Sequence, residues 1–137
     1  MSPIIYKANV ESRFSDLDPY GHVNFKHFLD YVITSRLTFL QNRFNMSLEK
    51  LAKIGTGFYA TEAQIKFLKP ILGIKQLDIE TYVESVIRDQ ILVIPFIIKD
   101  EKTSIIYAEG RLNFAVIDLR TGKPTNITEE IQSLFFE

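Results

Sequence analysis

Asp16, Asp18, His22 and Asn24 place two carboxylates, an imidazole and a carboxamide within nine residues. An ionised carboxylate can attack a carbonyl carbon directly or take a proton from water, and the residues alone leave both routes open. The His22 imidazole is suited to orienting water or binding a carbonyl oxygen, and equally to sitting neutral on a backbone carbonyl. Pro19 and Gly21 mark a turn, one by fixing φ and the other by permitting positive φ. Polar chemistry gathered in a turn that feeds a buried helix is the pattern of an active site. The backbone amides of Gly21 to Asn24, at the helix N-terminus, are expected near Asp18, where they and the helix dipole would stabilise an oxyanion. Ordinary roles stand beside these. Asp before Pro is a favoured turn residue, Asp16 is suited to bonding turn amides, and Asn24 to capping the helix. His27, displaced from the turn along the helix, is expected to be structural.

The elements that must hold this turn can be read from periodicity. Residues 4–14 suggest a first strand. From Phe25, apolar residues fall at Phe28, Leu29, Val32, Ile33, Leu37, Leu40 and Phe44, the spacing of a helix of about five turns, with Arg36 and Arg43 outside the apolar set. A second short helix is expected from Ser47, as N-cap, to Ile54, with Gly55 and Gly57 ending it. From Phe58 to Asp118 the chain reads as strands. Tyr59, Thr61, Ala63, Ile65 and Phe67 share one parity until Pro70. Leu77, Ile79, Thr81 and Val83 alternate with polar residues. Arg88-Asp89-Gln90 suggests a hairpin turn. Residues 91–99 are apolar enough for both faces to be covered, and Pro95 suggests a bulge or unpaired position. Ile106, Ala108, Leu112, Phe114 and Val116 face one way, and Gly110 allows a bend. A short helix is expected from about Thr128. The order predicts an α+β arrangement, an antiparallel sheet with one long helix on one face, and a single domain over 1–137.

Composition narrows the function. Sixteen Lys and Arg against 17 Asp and Glu leave a net charge of -1, which offers no broad field for nucleic acid. The absence of cysteine excludes disulfides, thiolate nucleophiles and cysteine metal sites, and two histidines make a His-rich zinc site unexpected, so no metal or other cofactor is expected. No apolar run approaches the ~20 residues that cross a bilayer. The N-terminal run lacks the long apolar core of a signal peptide, so a cytoplasmic protein is expected.

The run Arg13-Phe14-Ser15-Asp16-Leu17-Asp18-Pro19-Tyr20-Gly21-His22-Val23-Asn24-Phe25 resembles the entry motif of the 4-hydroxybenzoyl-CoA thioesterase-like hotdog proteins. Phe28-Leu29-Asp30-Tyr31 through Arg36 is similar to the start of their central helix, and Ile65 to Pro70 to their second strand. The resemblance implies a hotdog fold, a homodimer or homotetramer with sites between subunits, and hydrolysis of an acyl-CoA thioester. It implies a carboxylate before the proline, here Asp18, as catalytic group; His22, from its own chemistry, is the second expected catalytic residue. The expected substrate contacts are Asp16, Gly21, Val23, Asn24, Phe25, Tyr59, Glu62, Lys66 and Lys69. Among these, Glu62, which shares a parity with Gln64, is suited to an exposed polar face or to crossing a dimer interface, and Lys66 and Lys69, with Arg88 and Arg111, to CoA phosphates or to scattered surface positions. The Phe-rich composition suits a fatty or aromatic acyl group. A loosely similar Asp, Pro and His set serves hotdog hydratases and dehydratases, and a non-catalytic acyl-CoA-binding hotdog protein is a further alternative.

Overall fold

The computed structural model describes residues 1–137. Its strands are β1 (Tyr6–Glu11), β2 (Thr56–Phe67), β3 (Gln76–Thr81), β4 (Ser85–Ile87), β5 (Ile91–Asp100) and β6 (Ile106–Asp118). Its helices are α1 (Phe28–Phe44), α2 (Leu48–Ile54) and α3 (Glu129–Gln132). All strands pair antiparallel in one sheet ordered β1-β3-β5-β6-β2, with β4 beside β5. Each ladder sends alternate side chains to one face. Leu77, Ile79, Leu92, Ile94, Phe96, Ile98, Leu112 and Val116 are buried there together with Phe28, Tyr31, Val32 and Leu40 of α1. This is the α+β hotdog arrangement, one long helix against one face of an antiparallel sheet.

Local chemistry explains the boundaries. The chain enters α1 through a 3-10 turn, Phe25–His27, where the Asn24 side chain accepts the Lys26 amide at 3.2 Å. The helix ends at Asn45, which is left-handed with φ 50. Ser47 caps α2 through the Lys50 amide at 3.1 Å, and Gly55 closes it at φ 85. Arg88 and Asp89, both at positive φ, make the tight turn between β4 and β5. At the C-terminus, Thr128 caps α3, and Ile131, Leu134 and Phe135 are buried.

Three expectations need correction, and that for Pro95 resolves to one of its two alternatives. A bulge between Ala60 and Glu62 breaks the assumed parity of β2. Tyr59 therefore shares the outer face with Glu62, Gln64 and Lys66, while Ala63, Ile65 and Phe67 face the helix side. Pro95 sits in the regular β5–β6 register, opposite Arg111. On the other side the unpaired alternative holds: it falls between the β3 and β4 partners of β5, where no ladder bond is made, so no bulge is needed. The outer face of β5 is only partly covered, with Pro95 and Ile97 half-buried. The α1 stripe is rotated from the apolar reading: Ile33 and Leu37 are exposed, whereas Arg36 is only 8% exposed.

Candidate active site

The turn before α1 is tied by its own polar groups. The Asp18 Oδ1 accepts the amides of Tyr20 at 2.9 Å and His22 at 3.0 Å. The Asp18 amide donates to the His22 carbonyl at 2.7 Å, and the Gly21 amide to the Asp18 carbonyl at 3.0 Å. Gly21 stands at φ 78, where a side chain would be strained. The loop after β2 holds the turn from outside, because the Val23 amide donates to the Ile71 carbonyl at 2.8 Å and Gly73 to Gly21 at 2.9 Å. Asp18 Oδ1 therefore does the work of a turn residue, while Oδ2 has no partner within the protein.

Asp16 faces the other way. It is 2% exposed. Its Oδ2 accepts from the Tyr31 hydroxyl and from Arg13 Nε at 3.1 Å, and its Oδ1 lies 3.0 Å from the Arg13 guanidinium. Burial alone would raise the Asp16 pKa, but the hydrogen bonds from Tyr31 and Arg13 outweigh it and hold the carboxyl below its ordinary value. Burial and then this same bond push the Tyr31 phenol up. His27 lies beside the pair, its Nδ1 3.6 Å from Asp16 and 3.4 Å from Asp30. The expectation that Asp16 touches substrate is corrected here. Its carboxylate is committed to protein partners that lock the turn onto α1.

The amides expected to form an oxyanion site are also committed. Gly21 and His22 donate to Asp18, Val23 to Ile71, and Asn24 to the Asp16 carbonyl at 2.9 Å. Phe25 is the first residue at the helix entrance whose N–H has no acceptor. A positive helix end with one free donor is thus present one residue later than the sequence suggested.

Asp18, His22, Val23, Asn24 and Phe25 line one open cavity of about 420 Å³. Phe28 of α1 and the run Phe67-Leu68-Lys69-Pro70 complete it. The amides of Leu68 and Lys69 both donate to the Tyr107 carbonyl, at 2.8 and 3.1 Å, which fixes that run. Phe67 meets Phe25 and Phe28 edge-on, with centroids 6.0 and 5.1 Å apart. Of the expected contacts, Gly21, Tyr59, Glu62 and Lys66 do not line this cavity. Gly21 serves the turn itself, and the other three lie on the outer face of β2, where Glu62 accepts from Gln64 at 3.0 Å and stands 3.8 Å from Arg111. Phe28, Phe67, Leu68 and Pro70 were missed as cavity residues. The available signal was Pro70, just past the end of β2 and beside the loop that pairs back with the turn through Leu72 and His22. No three His, Asp or Glu side chains gather closely enough to hold a metal ion.

An antiparallel sheet backed by one long helix, with an acidic turn at the helix entrance, defines a hotdog protein. The profile of the thioesterase-like superfamily matches residues 12–135, and the chain belongs to that superfamily and is a thioester hydrolase by class. Its structure is similar to a 1,4-dihydroxy-2-naphthoyl-CoA thioesterase from Synechocystis, with 17% identity, TM-score 0.83, and coverage of 95% of this chain and 94% of the other. A probable thioesterase from Escherichia coli is 21% identical with TM-score 0.79, covering 94% of this chain and 95% of that one. A Staphylococcus aureus protein solved in complex with CoA is 10% identical with TM-score 0.82, covering 98% and 83%. No curated protein sequence matches the chain.

Proposed function

We propose that the protein hydrolyses acyl-CoA thioesters with Asp18 as the catalytic carboxylate. The observation that carries this is the division of labour within Asp18, one oxygen pinned by two amides and the other unpartnered in a residue that lines the cavity. A pinned carboxylate keeps its direction without further reorganisation. The thioester carbonyl would accept from the Phe25 N–H, which places the developing oxyanion at the positive end of α1. Water adds to the carbonyl carbon as Asp18 takes its proton, or Asp18 adds first and water cleaves the resulting anhydride. In both routes the C–S bond breaks, the CoA thiolate leaves and takes up a proton, and the products are a free acid and CoA. His22, in the same cavity, would orient the water or the carbonyl. The Phe25, Phe28 and Phe67 rings suit an apolar or aromatic acyl group, and Lys69 at the same cavity suits a CoA phosphate. CoA bound to the Staphylococcus aureus neighbour supports the carrier.

The test is hydrolysis of an acyl-CoA panel spanning aliphatic and aromatic groups, with enoyl-CoA hydration assayed alongside. Asp18→Asn is expected to lower kcat roughly 100-fold or more, with substrate binding retained. Full activity of Asp18→Asn and Asp18→Ala would end the proposal.

A further inference from the structure

Arg36 lies in the middle of α1, with only 8% of its surface exposed. One of its N–H groups donates to Thr81 Oγ1 at 2.8 Å. Its guanidinium carbon stands 4.8 Å from the centroid of the Tyr6 ring and 5.9 Å from that of Phe135. Ring faces attract a cation but carry no net charge. No carboxylate lies within ion-pair distance; the ion pairs of the chain all involve other residues. A buried guanidinium with most of its five donors unused and no counter-ion is an unusual thing for a fold to keep, since charges taken out of water are ordinarily paired. Burial lowers its pKa to about 10, which leaves it cationic at neutral pH.

The same side chain lines a cavity of about 150 Å³ between α1, α2 and the sheet. Ten of the 11 lining residues are hydrophobic, and Arg36 is the exception. Ile33, Leu37 and Leu48, which are exposed, provide its way in, while Leu92, Ile94 and Phe135 form deeper wall. It shares no residue with the Asp18 cavity. Along α1, Ile33 and Leu40 lie roughly 8 and 18 Å beyond Phe28, the last residue of α1 to touch that site.

We propose that this cavity is a second ligand site, which takes a small apolar carboxylate with its charged end on Arg36. The charge follows from the unpaired guanidinium, whose forked donors match a carboxylate. The apolar body follows from the walls. The size follows from the volume, because an apolar cavity of about 150 Å³ holds a molecule as large as benzene. Benzoate is therefore the probe, and benzamide, of the same shape without the charge, its control.

The experiment is an NMR titration of the full chain that follows the Arg36 Nε–H and the methyl groups of Leu37 and Leu92. Benzoate is expected to saturate these signals and to bind about tenfold or more tightly than benzamide, as a charge-assisted contact requires. Arg36→Met, which keeps the length and apolar stem, is expected to erase that difference. Asp18→Asn is expected to preserve it, which separates this site from the catalytic one whatever the thioesterase assay gives. Equal affinity for benzoate and benzamide, no binding of benzoate, or shifts confined to His22 and Phe25 would each overturn the proposal. Should Arg36→Met fail to fold, the comparison of the two probes on the unaltered protein decides it.

Discussion

Asp16 and Asp18 are two residues apart in sequence and opposite in surroundings. Asp18 keeps one oxygen unpartnered in a residue of the open cavity, and Asp16 gives both oxygens to Tyr31 and Arg13 inside the protein. The difference makes separate predictions. Tyr31→Phe removes a buried donor to a charged acceptor and should cost about 1.5–3 kcal/mol of stability, read from a urea midpoint. Asp18→Asn, by contrast, should change turnover far more than stability. Acid dependence follows from carboxyls whose folded pKa lies below the unfolded value. Asp16 is one, and Asp100 is another, lowered to about 2 first by the Thr103 amide and then by the Tyr107 hydroxyl and the Lys102 amide. The unfolded chain binds these protons more readily, so their contribution is complete above about pH 4 and disappears as pH falls toward 2. Urea midpoints measured from pH 5 to 2 should fall through that window, and Asp100→Asn should be less stable at pH 7 and show a shallower fall.

At the scale of elements, the site depends on how β2 lies on β6. Gly110 of β6 makes this approach possible, because an added Cβ would stand 2.0 Å from the Gln64 carbonyl oxygen and 2.7 Å from the Phe96 ring. Neither the backbone of β2 nor a packed ring can yield cheaply. Gly110→Ala should therefore cost about 1–3 kcal/mol or more by urea unfolding. It should also lower thioester turnover, since β2 leads directly into the Phe67 to Pro70 wall. The sequence suggested a bend at Gly110, but the residue it must clear is 46 positions away and leaves no local signal. The same limit explains the other gains and losses. Helix starts and stops at Asn24, Ser47 and Gly55 were legible because caps act within three residues. The β2 bulge was not, because it is defined only against β6. Arg36 read only as outside the apolar set of α1, and its burial rests on Tyr6, Thr81 and Phe135, from three distant segments. The acidic turn was legible as chemistry, but its free amide at Phe25 emerged only once the neighbouring amides had partners.

The whole molecule leaves two surfaces unexplained by a lone chain. Beta2 is a 12-residue edge strand with one side unpaired, the kind of edge that adds a strand from another chain. Around the acidic turn, Tyr20 and Phe25 are 83% and 70% exposed. The homodimer that the family resemblance implies, alone or within a homotetramer, would cover both if it brought Glu62 and Lys66 of one protomer to the Asp18 cavity of the other. Such a site can be tested by complementation, because each defect then lies on a different side of it. Asp18→Asn alone should be inactive, and a Glu62→Ala/Lys66→Ala double variant should be impaired at every site. Refolded together in equal amounts, half of the dimers should be mixed, and each mixed dimer should carry one site with all residues intact. Activity should then rise to about a quarter of that of the unaltered protein. If each chain instead holds a complete site, mixing only averages the two parents, and no activity above their mean appears. A double variant with full activity would remove Glu62 and Lys66 from the site altogether and leave β2 without a part in it.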